Sequence, residues 1–325
     1  MVAETEVAGT WTFEDVCLWT YCLVDELWVQ IAPRCRRPGP TPVCSDAELV
    51  MMALVGECCG WDQETEAVSR WRQHRDLFPP QPSRTRCNRR RRALQGAINE
   101  LRRLILGRLD LAADRQCVID SLPIPVITFH LVPGANRAEW QAHEARFGKV
   151  FPKRSPSSAT NSICWWRGTG SSSTSCWPRP TWWSCRWARS CWRSPPIWTP
   201  SATRPTFSAP LAARLATENR VRRLTLPRRN ARQPASPARR RLVNGARQII
   251  EAVTSQLAEQ FHIERNHAQS FWGLTARLLT KLTAHTLCLF LNRLLGKPDV
   301  LHIKALAFPI EHTGLLACPK LDQYV

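Results

Sequence analysis

The sequence predicts an α/β protein in which an α-helical region precedes a core of strands and helices. Three observations predict it. Residues 1–108 space their apolar side chains mostly as helices do. The run Cys117-Val118-Ile119-Asp120 has the β-branched character of a strand. From about Ser208 the pattern becomes ordinary again and ends in long helical stretches. A chain of 325 residues has room for two domains and a real core. The expected division is 1–108, then 109–325 with an interruption over 155–207.

In chain order, Asp15 to Trp28 places Val16, Leu18, Trp19, Leu23, Val24 and Leu27 at helical spacing. Ser45-Asp46-Ala47-Glu48 reads as a capping box that opens a second helix through LVMMALVGECCGW. Pro79, Pro80 and Pro82 break the pattern. A last helix of this region starts on the basic run Arg84, Arg86, Arg89, Arg90, Arg91 and Arg92 and continues through Leu94, Ile98, Leu101 and Ile105. A basic cluster at a helix start suits contact with DNA phosphates, although no recognition helix declares itself. The alternative is a solvated helical face.

The strand at Cys117 is expected to end on Asp120, delivering a carboxylate to its tip, although such an Asp taken alone is more often a turn or cap residue. Gly134, Asn136 and Gly148 mark loops. A basic, Pro-bearing linker runs from Pro227 to Arg241. A helix follows near Gly245, with Ile249, Ile250, Val253, Leu257 and Phe261 on one stripe and Arg247, Glu251 and Ser255 beside it. Alone, Arg247 and Glu251 make an i, i+4 surface pair worth a few tenths of a kcal/mol. Leu274 to Leu295 is a strongly apolar core helix.

The formal charge of +19 implies an anionic partner, with nucleic acid foremost. The fourteen Cys contain no CxxC pair and no regular Cys/His spacing, which argues against zinc and a disulfide framework. No apolar run reaches membrane-span length, and Glu4 and Glu6 stand where a secretory leader would be basic. A cytoplasmic, nucleoid-associated protein is expected.

Residues 155–206 break every compositional rule. They hold eight Trp and four Cys but no Leu, Val, Asp, Glu or Lys. Trp is TGG and Cys is TG-pyrimidine, so regrouping from each preceding third base turns all twelve into Leu, Val or Met codons. In that phase, depending on the codons used, Ala159 to Arg167 can regroup to an alternating, strand-like run. Trp182 to Arg193 can become an amphipathic helix, and Ser201 to Thr206 can become Gly-Asp-Lys-Ala-Tyr. The segment therefore reads as out of frame and is expected to be disordered or misfolded as written. That regrouping places an aspartate across Ala202 and Thr203, where this chain has none; no Asp or Glu occurs between Glu144 and Glu218.

A strand-borne Asp120, a lost Asp at Ala202–Thr203 and Glu251 on a late helix have the layout of a two-metal phosphoryl-transfer site. Such sites hold two ions about 3.5–4 Å apart on shared carboxylates. Hard oxygen ligands suit Mg²⁺ or Mn²⁺.

The segments CVIDSLPIPV, NGARQIIEAVTSQLAEQFHIERNHAQSFWGLTARLLTKLTAHTLCLFLNRLLG and IKALAFPI, with YCLVDELW, CSDAELVMMALVGECCGW and HRDLFPP, carry a family resemblance. Together they resemble a bacterial insertion-sequence transposase of the DDE superfamily, within the nine-eight-two family of insertion sequences. The resemblance covers nearly all of the chain outside 155–207. It implies a ribonuclease-H-like catalytic core behind the helical DNA-binding region. It also implies metal-dependent nicking and strand transfer at terminal inverted repeats, on double-stranded DNA and a target DNA, and is compatible with a homo-oligomer. Asp120 matches the first acidic position, Glu251 the last and Arg247 its supporting Arg. Asn244 and Ala258 stand where related transposases carry Tyr and Lys. Without the second Asp the copy is expected to be inactive. Two other classes stay open: a non-catalytic DNA-binding remnant, and a Trp/Arg-rich single-stranded nucleic-acid-binding protein.

Overall fold

A computed structural model describes residues 12–35, 39–75, 77–78, 80–109, 116–128, 146–149, 156–167, 197–200, 226–227, 234–265, 267–297 and 301–303. Helix α1, Phe13–Ile31, begins two residues earlier and ends three later than its apolar spacing suggests. Thr12 caps it, exchanging hydrogen bonds with Asp15 in a capping box. Its exposed face includes Leu18, whereas Val16, Leu23, Val24 and Leu27 are buried as expected.

The Ser45 capping box opens α2, Asp46–Cys58. Glu48 N–H donates to Ser45 Oγ at 3.1 Å, and Ser45 N–H donates to Glu48 Oε2 at 2.6 Å. The helix closes on Gly60, whose φ of 71° lies in the left-handed region that favours glycine. Trp61 N–H then returns to the Gly56 carbonyl at 2.9 Å, which turns the chain back beside α2.

Helix α3, Glu64–Gln73, has no counterpart in the sequence reading. Trp71 is its buried anchor and packs edge-on against Trp61 and Phe78. The basic helix divides where the sequence shows one continuous pattern. Helix α4 is Arg84–Ala93 and α5 is Gln95–Arg108, with Leu94 between them at φ −88° and ψ 6°. Leu94 is buried there, so the break turns the chain without losing an apolar contact.

Strand β1, Gln116–Thr128, continues eight residues past Asp120 and through Pro123 and Pro125. Asp120 therefore lies within the strand, not at its tip. Strand β2, Arg146–Lys149, takes in Gly148, which the sequence assigned to a loop. Gly134 and Asn136 lie outside the described residues. Within 155–207 the structure describes β3, Pro156–Arg167, and β4, Ile197–Pro200. The sheet order is β2-β3-β1-β4. Strand β3 runs antiparallel to β1, with Asp120 opposite Cys164, and β4 runs parallel to β1, with Ile119 opposite Pro200. Ala202 and Thr203 lie outside the described residues.

Helix α6, Pro237–Ser255, starts earlier than the Gly245 region, so the last five residues of the expected linker are helical. Ser236 caps it and Pro237 occupies the first turn, where a missing N–H costs nothing. Ile250 and Val253 are buried, and the helix packs against β1. A single wider turn, Gln256–Gln260, extends it.

Helix α7, Phe271–Leu294, is the axis of the helical part. Every residue from Leu274 to Leu289 is buried, Arg277, Lys281 and His285 among them. It packs chiefly on α5, then α2, then α4. Its hydroxyls cost little, since Thr275, Thr280, Thr283 and Thr286 each donate to the carbonyl four residues back. One apolar cluster joins α1, α2, α5 and α7, so the core of 1–108 is completed by a helix from the far end of the chain.

Candidate nucleic-acid interface

Six arginines crowd α4, and the fold sorts them into two sets. Arg90 and Arg91 turn inward. Arg90 Nε donates to Asp46 Oδ1 at 2.6 Å while its Nη2 reaches Asp46 Oδ2, and Arg91 Nη2 donates to Glu64 Oε1 at 2.5 Å. These bonds clamp α4 to the starts of α2 and α3. Asp46, in the first turn of α2, is also favourably placed at that helix's positive end. Hydrogen bonding to Asp46 raises the Arg90 pKa above its ordinary value.

Arg84, Arg86, Arg89 and Arg92 are exposed, and none of their guanidinium groups has a hydrogen bond or ion pair with another described residue. Arg84, Arg89 and Arg92 line an open cleft of about 700 Å³ between α4 and the start of α7. Five arginines and one glutamate face this cleft, and the glutamate, Glu64, is already held by Arg91 and by Arg277 at 3.5 Å. Burial lowers the Arg277 pKa, and the neighbouring Arg91 adds to that, against the acidic groups nearby. The cleft is therefore a region of uncompensated positive charge with polar walls.

A second charged group lies deeper. Lys281, 1% exposed, donates to Glu57 Oε2 at 2.6 Å and Asp62 Oδ1 at 3.1 Å, while His262 Nδ1 stands 2.8 Å from Asp62 Oδ2. Burial opposes ionisation of Asp62 and is the largest single effect. The close His262 contact and Lys281 together outweigh it and hold the carboxyl below its ordinary value. His262 itself has a φ of 45°, in the left-handed region. His285 is fully buried against Gln256 at 2.9 Å, and desolvation drives its pKa down to about 3, so the ring is neutral.

The acidic positions are placed differently. Asp120 sits in β1 and Glu251 on α6, and these two elements pack together. The Glu251 side chain is 58% exposed and bonded to Arg247 Nε at 2.7 Å, the surface pair that the spacing suggests. Among the described residues no group of three or more His, Cys, Asp or Glu side chains could hold a metal ion. Ala202 and Thr203 offer no carboxylate, so the donor set as written does not fit a two-metal centre. Among the described residues no helix is long and apolar enough to cross a membrane.

Sequence reasoning could not separate Arg89 from Arg90, because Asp46 lies 44 positions away from the latter. The contribution of α7 to the cleft left no local signal either. No protein-family model, curated protein or solved structure matches the chain.

Proposed function

We propose that the chain derives from a DNA transposase of an insertion sequence and that this copy acts as a DNA-binding remnant. The observation that carries the DNA reading is the exposed arginine set of α4, free of carboxylate partners among the described residues, with Arg84, Arg89 and Arg92 facing an open polar cleft. Guanidinium groups left to solvent in such a cleft suit phosphodiesters, which they bind by charge-assisted, often bidentate hydrogen bonds. The transposase part rests on the sequence resemblance. It requires Asp120 and Glu251 on adjoining elements, and β1 and α6 adjoin. It also requires a third carboxylate, which the out-of-frame reading of Ser201 to Thr206 supplies and the chain as written lacks.

Two measurements test the reading. Binding of a labelled duplex, followed by anisotropy against salt, should give a log–log slope of about −3.6 if all four exposed arginines neutralise phosphates. The parent chain should show no Mg²⁺-dependent cleavage of DNA carrying the element's ends. A chain with 155–206 returned to the flanking frame should cleave it, with Asp120, the restored Asp and Glu251 as metal ligands. A salt-independent parent refutes the DNA reading, and an inactive but folded restored chain refutes the transposase reading. Resequencing the codons around Arg154–Ser155 and Thr206–Phe207 decides whether the shift belongs to the gene.

A further inference from the structure

We infer that the start of α7 forms the second wall of the DNA site, so that a duplex backbone lies in the cleft between α4 and the 267–273 segment. This rests on the DNA reading above and extends it to a part of the chain that the sequence placed outside the DNA-binding region. The arginine wall comes first. Arg84, Arg89 and Arg92 span nine residues of α4, eight rises or roughly 12 Å along its axis at about 1.5 Å per residue. That length covers about three to four nucleotide steps at 3.4 Å each.

The opposite wall is His267, Gln269 and the first turn of α7 at Ser270 and Gly273. His267 and Gln269 are exposed donors, and His267 is held at a φ of 46°, a left-handed conformation that side chains other than Gly seldom adopt. The 24-residue helix behind them ends here with its N-terminus, whose partial positive charge adds to that of the arginines.

The size of the cleft favours a polymer over a small ion. Its volume of about 700 Å³ corresponds to roughly twenty waters at about 30 Å³ each, far more than one inorganic anion fills. A drug-like apolar ligand is disfavoured by the polar lining.

The test uses the full chain and a labelled duplex, with the salt slope as readout. Gln269 is exposed, so its substitutions should not unfold the protein. Gln269→Lys is expected to steepen the slope by about 0.9 and Gln269→Glu to flatten it. Val29→Lys, on the exposed face of α1 at 74% exposure, adds the same charge elsewhere and should leave the slope unchanged. Arg89→Ala should flatten it by about 1. If Arg89→Ala acts while Gln269→Lys behaves like Val29→Lys, the second wall is refuted and the DNA reading stands. If Arg89→Ala also has no effect, the DNA reading itself fails. Inorganic phosphate at constant ionic strength should not displace the duplex. Displacement would assign the cleft to a free anion and overturn the proposal.

Discussion

Replacing Lys281 by Met isolates the charge network that ties α7 to α2. The substitution is close in shape and leaves the apolar packing of α7 in place. It removes the ammonium that sits 2.6 Å from Glu57 and 3.1 Å from Asp62. The two acids lose unequally. Asp62 keeps His262 at 2.8 Å, but Glu57, only 4% exposed, has no other cation in direct contact among the described residues. Breaking a buried pair from one side costs about 3–5 kcal/mol, because the stranded charge must be neutralised or rehydrated. With a urea slope of about 2 kcal/mol/M, the midpoint should fall by about 1.5–2.5 M. Helical circular dichroism is the suitable readout, since the network lies between helices. Adding Glu57→Leu to Lys281→Met should recover most of the loss, because the pair itself gains little over an apolar replacement. The reasoning fails if Lys281→Met stays within about 1 kcal/mol of the parent, or if the double variant is no more stable than the single one.

Other consequences are equally measurable. Ser45→Ala removes a capping box and should cost about 1 kcal/mol in the same denaturation assay. Arg90→Ala, which strands Asp46, should cost about 1.5–3 kcal/mol of stability, whereas Arg89→Ala should leave stability unchanged and weaken duplex binding. The His285 ring, with a folded pKa of about 3 against an ordinary 6.5, should show no imidazole titration by NMR between pH 7 and 4. Its folded pKa is depressed, so its contribution is full above about 6.5 and is lost as pH falls towards 3. Asp62 has the same sign. Its contribution is full above the ordinary 3.8 and is lost as pH falls through the lower folded value, which adds a second, more acidic step.

Local signals in the sequence were readable, and distant ones were not. Ser45 and Glu48 announce the start of α2 because a capping box is closed within four residues. The apolar run of α7 announces a core helix by composition alone. Leu94 hides the break between α4 and α5, since an apolar residue fits both the interrupted and the continuous pattern. Pro123 and Pro125 disguise the length of β1, because proline normally argues against a central strand. The early start of α6 was masked by its basic, Pro-bearing first turn. At the candidate site, the basic character of α4 was legible residue by residue. Which arginines stay free was not, because Asp46 and Glu64 neutralise two of them from other helices. Lys281 and Glu57 are 224 positions apart, and no pattern along the chain connects them.

The burial of α7 among α2, α4 and α5 also dictates when this protein can fold. The first helices emerge from the ribosome with their apolar faces open, and the helix that closes them is made only after the long stretch that separates α5 from α7. At about 5–20 residues per second, the interval between finishing α5 and finishing α7 is roughly 10–40 s. During that time the nascent chain presents Leu54, Ile98 and Leu101, each fully buried in the finished fold, to chaperones and to other nascent chains. A reading-frame disturbance between these helices therefore endangers the N-terminal part as well. A ribosome that stops between α5 and α7 would release α1 to α5 without the helix that completes their core.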